Sequence, residues 1–128
     1  MMMREEQGRN LTQWLHSFAP DTPLILTGDL NAQPSEPVIQ ALTSHEKDEA
    51  LISCYDLSSP EKTTFKIRQS GKECKTLDYI FTSPGLETIS TLELPAEDQL
   101  GAELLPSKNF PSDHLSLLAD IMIVKKED

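Results

Sequence analysis

The stretch Pro23-Leu24-Ile25-Leu26-Thr27-Gly28-Asp29-Leu30-Asn31 has the pattern of a short apolar strand that ends in two oxygen-bearing side chains. Residues 24–26 are apolar at every position, which predicts a strand buried on both faces within a sheet. Gly28 gives the backbone conformational freedom just before the polar pair. The stretch therefore predicts a sheet with a carboxylate and an amide, Asp29 and Asn31, at a strand end.

Two further segments combine acidic or imidazole side chains with apolar strands. One is Leu77-Asp78-Tyr79-Ile80-Phe81, and the other is Ser112-Asp113-His114, which precedes the apolar residues 115–118. Three Asp, one Asn and one His, each beside a separate strand, form one oxygen-rich site if the strand ends converge. Such a site suits Mg²⁺ or Mn²⁺ together with a phosphate.

The first half of the chain carries two helical patterns. Apolar residues between 11 and 18 are spaced at i, i+3, i+4 and i+7, so we expect an amphipathic helix over residues 5–18. Ser35 is a favourable N-cap residue, and it predicts a second helix over residues 36–44. A polar loop should follow at residues 45–49.

The second half of the chain alternates strand patterns with turns. Residues 63–68 predict a strand with an apolar face, Phe65 and Ile67, and a cationic face. Gly71 should lie in the turn before the next strand, residues 76–83, where Asp78 points away from the apolar face. Further strands are predicted over residues 86–94 and 115–124, with a long polar loop over residues 95–111 between them.

Charge and composition limit the function classes. The net charge of −10, from 21 acidic and 11 basic side chains, argues against a general electrostatic attraction to nucleic acid. The basic residues do cluster, because five of the eleven fall between residues 62 and 75. That cluster is either a solvated hairpin or a local surface for phosphate.

Compartment and membrane signals are few. Cys54 and Cys74 are too few for a disulfide framework, which favours free thiols in a reducing compartment. The sequence contains neither an apolar run long enough to cross a membrane nor a secretory signal at residues 1–6. We therefore expect a cytoplasmic protein without membrane contact, although a targeting segment upstream would change this expectation.

The three motifs, in this order, resemble the endonuclease/exonuclease/phosphatase superfamily. Its late motifs are G-D-[FL]-N, [LI]-D-Y-I and S-D-H, and they stand here at residues 28–31, 77–80 and 112–114. Residues 31–36, 63–68, 105–107 and 109–117 look like the deadenylase branch of that family. The similarity runs from about Arg4 to Ile123.

The resemblance implies a fold and a domain boundary. Members of the family look like a four-layer α/β sandwich, in which two packed, mostly antiparallel sheets are flanked by helices. The chain resembles the C-terminal half of that domain over residues 1–128. The N-terminal half, with a metal-binding Glu, an Asn and a phosphate-contacting His, is expected to be absent. A half-domain of this kind should expose an apolar sheet face.

The resemblance also implies catalytic and metal-binding roles. Asp29 would activate or orient the attacking water, and Asn31 would hold a phosphate oxygen or support the metal. Asp78 lies in an apolar strand and needs a partner, for which we expect His114, the residue that would contact the phosphate or transfer a proton. The metal ligands would be Asp29, Asn31 and Asp113. The alternatives are an Asx turn at residues 29–31, a solvent-facing Asp78 and a capping Ser-Asp pair.

Substrate contacts are expected on the basic strand and beside the last motif. Arg68 and Lys66 share one face of their strand, and a guanidinium can bind a phosphate through two hydrogen bonds. Asn109 and Phe110 would position a nucleotide base by hydrogen bonding and stacking. Simple packing explains Phe110 equally well.

The function implied by the resemblance is Mg²⁺-dependent hydrolysis of a phosphoester, with Mn²⁺ as a possible substitute. The substrate would be the 3′ end of poly(A) RNA or the 2′-phosphate of NADP(H), and the residues leave this choice open. The alternative is a non-catalytic half-domain, or a truncated isoform that binds a partner. Because the family's N-terminal ligands are not expected here, the chain alone should be inactive.

Overall fold

The computed structural model describes residues 2–18, 21–44 and 50–124, and the polar loop predicted at residues 45–49 lies outside them. The described part is a mixed α/β structure with antiparallel strand pairs, as predicted. Its elements are α1 (Met2–Phe18), β1 (Ile25–Asp29), α2 (Pro37–Thr43), β2 (Ile52–Ser53), β3 (Thr64–Arg68), β4 (Gly71–Lys75), β5 (Asp78–Thr82), β6 (Leu86–Thr91), a 3₁₀ turn (Glu97–Gln99) and β7 (Ala119–Ile123).

The strands of the described residues form one three-stranded sheet and two separate antiparallel pairs. The central sheet has the order β1-β5-β2, and the pairs are β3-β4 and β6-β7. Side chains alternate along β5 as predicted, since Tyr79 and Phe81 are buried on one face while Asp78 and Ile80 are half-buried on the other. β5 is thus the strand that joins the core to the predicted site.

The core consists of two hydrophobic clusters. The first fills the space between the central sheet and the helices, where the rings of Tyr79 and Phe81 stack at 5.2 Å; it comprises Ala32, Ile39, Leu42, Leu51, Tyr79 and Phe81. The second joins β3 and β4 to the long loop and comprises Phe65, Leu94, Leu100, Leu104, Leu105 and Leu115. The site residues lie on the segments that connect these clusters.

Helix α1 packs closely on α2, and a glycine makes the approach possible. A Cβ atom at Gly8 would lie 3.0 Å from Val38 Cγ2 and 3.1 Å from the Val38 carbonyl oxygen. The helix predicted over residues 5–18 is confirmed, and it begins earlier than expected, at Met2. The predicted N-cap of α2 is wrong, because the cap is Glu36 rather than Ser35, and Glu36 Oε2 accepts a 2.6 Å hydrogen bond from the Gln33 N–H.

The prediction that β1 is buried on both faces is wrong. β1 lies at an edge of the described three-stranded sheet, and Ile25 is 51% exposed. The helices cover only the face occupied by the half-buried Leu24 and Leu26. An apolar triplet does not reveal which of its faces receives a covering layer, which is why the sequence misled here.

Strand β4 was not predicted from the sequence. Gly71 does not lie in the turn but opens this strand opposite Arg68, with φ +121°, so that residues 69–70 form a two-residue hairpin loop. Three of the five residues of β4 are charged, so the strand has no apolar alternation to detect. The predicted apolar face of β3 is also only half correct, because Phe65 is buried whereas Ile67 is 55% exposed.

The last two predicted strands are shorter than expected. β6 ends at Thr91 rather than Leu94, and β7 begins at Ala119 rather than Leu115. Leu94 and Leu115 instead turn into the second hydrophobic cluster, which removes them from the strand pair. Within the described residues, neither helix is long and apolar enough to cross a membrane.

Candidate active site

The centre of the site is a hydrogen bond between two residues that are distant in sequence. His114 Nδ1 lies 2.7 Å from Asp78 Oδ2. Because a carboxylate oxygen accepts, the ring donates its Nδ1–H, which fixes the tautomer of the neutral imidazole. The side chains are 24% and 18% exposed, so the pair is half-buried. The predicted partnership of Asp78 and His114 is confirmed.

Asp29 approaches the same histidine from the neighbouring strand. It is paired with Asp78 in the register of β1 and β5, and its Oδ2 lies 3.8 Å from His114 Nε2. Its Oδ1 accepts a 2.8 Å hydrogen bond from the Asn31 N–H, which forms an Asx turn in which Asn31 has φ +50°. The turn and the site are therefore not alternatives, since one carboxylate serves both.

A buried tyrosine holds the loop after this turn. The Tyr79 hydroxyl donates a hydrogen bond of 2.5 Å to the Ala32 carbonyl oxygen, and the Thr76 carbonyl oxygen lies 3.1 Å away. Burial raises the pKa of Tyr79 well above its usual value, so the phenol remains a donor at neutral pH. The loop that carries Asn31 is thereby fastened to the core next to Asp78.

Three of the site residues have a geometry that suits a divalent cation. One ligand atom from each of Asp29, Asp78 and His114 lies within 4.8 Å of the other two. Carboxylate oxygens are the donors that Mg²⁺ and Mn²⁺ prefer, and the two carboxylates supply the negative charge that such ions need. The predicted metal set was different, since it contained Asn31 and Asp113, and their assignment as ligands stays a prediction.

Asp113 stands at the site but is bound to a lysine. Its Oδ1 lies 3.8 Å from His114 Nε2, and its Oδ2 lies 3.1 Å from Lys66 Nζ. The hydrogen bond from Lys66 holds the pKa of Asp113 below its usual value, and the nearby His114 acts in the same direction. Lys66, predicted as a substrate contact, therefore brings a cation directly to the edge of the site.

The rest of the cationic face surrounds an acidic residue. Glu73 Oε1 lies 2.7 Å from Lys75 Nζ, and Glu73 Oε2 lies 3.6 Å from Arg68 Nε. Lys75 first, and Arg68 and Lys66 less strongly, hold the pKa of Glu73 below its usual value. Arg68 is 56% exposed, so a phosphate can reach its guanidinium from solvent.

The two residues predicted to position a base differ in their surroundings. Phe110 is half-buried and packs against the second hydrophobic cluster, which is the packing alternative. Asn109 is exposed in a turn closed by backbone hydrogen bonds between Ser107 and Phe110. Asn109 as a substrate contact stays a prediction.

Sequence reasoning missed two threonines that support the site. Thr63 and Thr64 are buried and hydrogen-bond to the segments that carry Asp78 and Asp113. The dipeptide marked a family resemblance, but threonine is common at strand starts and carries no functional signal of its own.

The comparison with protein families decides the classification. A model described as the Endonuclease/Exonuclease/phosphatase family matches residues 4–114, which include all three motifs. The chain belongs to this family. Membership accounts for the convergence of Asp29, Asp78 and His114 from three separate segments.

The resemblance to the deadenylase branch is confirmed, because the similar proteins within this family include nocturnins. Nocturnin of Xenopus laevis is 44% identical over 126 residues, covering 91% of this chain, and human nocturnin is 42% identical over 134 residues, covering 98%. The chain spans 32% and 31% of these two proteins.

A solved structure of the human nocturnin catalytic domain with a bound sulfate anion matches with a TM-score of 0.70 and 37% identity. The match covers 95% of this chain and 41% of that domain. The predicted fold class, part of the family's α/β sandwich, is confirmed by this similarity.

Proposed function

We propose that this chain supplies the Asp78–His114 part of a divalent-metal-dependent phosphoester hydrolase. The observation that carries the proposal is the 2.7 Å bond between these residues, with Asp29 facing the same ring at 3.8 Å. An oriented imidazole beside two carboxylates is a common arrangement for proton transfer and phosphate binding. The nuclease-type relatives support the same class of reaction.

The residues have separate tasks in this reaction. Asp78 keeps the Nδ1–H of His114 engaged, so that Nε2, on the side of Asp29 and Asp113, is left to accept a proton or, once protonated, to donate to a phosphate oxygen. Asp29 is our choice for the base that orients the attacking water, because its Oδ2 is directed at the same point. A bound Mg²⁺ or Mn²⁺, held by the carboxylates, would stabilise negative charge on the phosphate.

The substrate is a nucleotide phosphoester, either the 3′ end of poly(A) RNA or the 2′-phosphate of NADP(H). Lys66 supplies a local positive charge beside the site, and Arg68 lies two residues further along the same strand, while the net charge of −10 opposes a long polyanion track. This balance favours the dinucleotide slightly. The solved human nocturnin domain has a bound sulfate, which is a tetrahedral oxyanion like phosphate.

A second candidate is a half-domain whose role is to bind a partner rather than to catalyse. Ile25 and Ile52 are each about half exposed on the sheet face that also carries Asp29 and Asp78. An apolar surface next to an active site is typical of a face that another part of a domain covers. We propose that the complete site needs the family's N-terminal half, and a partner-binding role alone would also fit this face.

The experiment is a chimera of the human nocturnin catalytic domain in which this chain replaces the matching segment. With Mg²⁺ or Mn²⁺ it should hydrolyse oligo(A) or NADP. His114→Ala and Asp78→Asn should each lower kcat by about 10²- to 10⁴-fold, the usual contribution of a positioned acid or base. Asp56→Asn is the matched control, because Asp56 is an exposed aspartate bonded to Ser58 instead.

The outcomes separate the two candidates. Turnover that is lost in the two site variants and kept in the control supports catalysis. A folded chimera that turns over neither substrate, although the unaltered domain does so in parallel, contradicts the catalytic proposal and leaves the partner-binding role.

A further inference from the structure

The dipeptide Thr63-Thr64 lies at the start of β3 and is almost completely buried. The two residues are 2% and 1% exposed, and both are polar. Buried hydroxyl groups need hydrogen-bond partners, and the partners of a buried pair show which segments it holds together. Here the partners are the backbones of the two segments that carry Asp78 and His114.

Thr63 binds the Asp78 segment with its side chain. Its Oγ1 accepts hydrogen bonds from the Leu77 N–H at 3.0 Å and the Asp78 N–H at 3.3 Å. Its carbonyl oxygen accepts a 2.8 Å bond from the Leu115 N–H, on the residue that follows His114. One residue thus contacts the backbone of both segments.

Thr64 binds the His114 segment. Its Oγ1 donates a 2.8 Å hydrogen bond to the Asp113 carbonyl oxygen. Thr64 also forms an isolated antiparallel bridge with His114 itself. The peptide between Asp113 and His114 is therefore held by Thr64 of β3, next to Thr63, which holds the backbone of Asp78.

We propose that Thr63 and Thr64 are positioning residues that set the distance between Asp78 and His114. Asp78 and His114 are 36 positions apart in sequence, so the short bond between them depends on how the backbones of two separate segments are held. Functional groups must stay within about 0.5 Å of their working geometry, and buried hydrogen bonds from a strand provide that precision. The catalytic meaning of the pair rests on the proposed function, whereas its positioning does not.

The test reads the Asp78–His114 hydrogen bond directly in the full chain. In ¹⁵N-histidine NMR at a pH where the ring is neutral, His114 should show a single tautomer protonated at Nδ1, assigned by comparison with His114→Gln. Thr64→Val replaces the hydroxyl with a methyl of similar size, and it should shift the ring resonances towards an average of the two tautomers. Thr64→Ser keeps the hydroxyl and should restore the single tautomer.

Thr12→Val is the matched control. Thr12 is 2% exposed, and its Oγ1 donates to the Gly8 carbonyl oxygen at 2.9 Å, far along the chain from the pair. Its substitution should leave the His114 resonances unchanged. Unchanged resonances in Thr64→Val, equal changes in Thr12→Val, or failure of Thr64→Ser to restore the tautomer would each overturn the proposal.

A reciprocal measurement covers the case in which Thr64→Val does not fold. Coupling between two sites acts equally in both directions, so removing the imidazole must weaken the bonds that position it. In His114→Gln, the amide protons of Leu77 and Leu115 should exchange about 5-fold faster or more, the lower range of such couplings. The Leu51 amide, bonded to the Leu42 carbonyl oxygen in the first cluster, is the reference.

Equal exchange at Leu77 and Leu115 in both proteins would overturn the positioning role. None of these measurements involves turnover. A chimera without activity but with the expected NMR behaviour would therefore contradict the proposed function and leave the positioning role intact.

Discussion

The two faces of the sheet β1-β5-β2 differ in how far their side chains are buried. On the helix-covered face, Tyr79 and Phe81 are 3% and 0% exposed and pack against α2. On the other face, called here the open face, Ile25 and Ile52 are 51% and 52% exposed, and Asp29 and Asp78 stand at one end. A single strand, β5, contributes to both.

The helix-covered face contributes mainly to folding stability, whereas the open face carries the ionisable groups of the candidate site. Burial on the helix-covered face provides most of the apolar contacts of this sheet, because its side chains are removed from water. The open face leaves apolar surface exposed next to these ionisable groups. Substitutions on the two faces should therefore have different consequences.

The largest effect should be the absence of turnover in the chain by itself. We expect little or no hydrolysis of oligo(A) or NADP with Mg²⁺ or Mn²⁺, because the proposed complete site also needs residues of the family's N-terminal half. Loss of members of a catalytic group commonly lowers rates by orders of magnitude. The measurement is a product assay on the purified chain, with His114→Ala as the control for contaminating enzymes. Robust turnover that disappears in His114→Ala would mean that the open face is already complete.

The second effect concerns folding stability. Phe81→Ala should lower the free energy of unfolding by about 3–5 kcal/mol, because it leaves a cavity in a fully buried ring site. Ile52→Ala is the matched substitution on the open face and should cost about 1 kcal/mol or less, since half of its side chain is already in water. Urea unfolding followed by circular dichroism measures both. Similar losses for the two variants would remove the distinction between the faces.

The third effect tests Arg68, on the cationic face of β3. In the chimera, Arg68→Ala should reduce kcat/KM for NADP by a factor equivalent to about 1.5–3 kcal/mol, as expected for a charge-assisted hydrogen bond. The loss should be much smaller for a substrate that lacks the extra phosphate. Lys72→Ala is the control, because Lys72 is opposite Ile67 in the register of β3 and β4 and therefore lies on the other face of this strand pair, where it bonds Glu97. Equal losses on NADP and oligo(A) would argue against a dedicated contact with the 2′-phosphate.

The smallest effect is a titration shift at the edge of the site. Lys66→Met should raise the pKa of Asp113 towards the ordinary value of 3.8, because the lysine hydrogen bond is what lowers it. A lowered carboxyl pKa stabilises the fold above the unfolded pKa, and this contribution is lost as the pH falls through the folded pKa. The difference in free energy of unfolding between the unaltered chain and Lys66→Met should therefore become smaller as the pH falls below about 3.8.

Carboxyl ¹³C NMR titration measures this shift. Lys75→Met is the control, because Lys75 bonds Glu73 and should move the pKa of Glu73 while Asp113 keeps its own. An unchanged Asp113 titration in Lys66→Met would show that the ion pair does not persist in solution.

The sequence predicted the site better than the fold around it. Asp78 was expected to pair with His114 because an acid in an apolar strand needs a partner, and this logic depends on chemistry rather than on register. β4 escaped because its charged residues lack apolar alternation. The exposure of Ile25 could not be predicted from the sequence, because the periodicity of a strand does not show which layers cover it.

The two oxygens of Asp29 constrain how this position can change in evolution. One oxygen holds the turn through the Asn31 N–H, and the other is directed at His114. An asparagine could keep the turn only by presenting its amide hydrogens to the histidine, which reverses the local polarity, while an alanine would lose both interactions. The Asx turn and the candidate site therefore depend on the same side chain, so a substitution at Asp29 alters both at once.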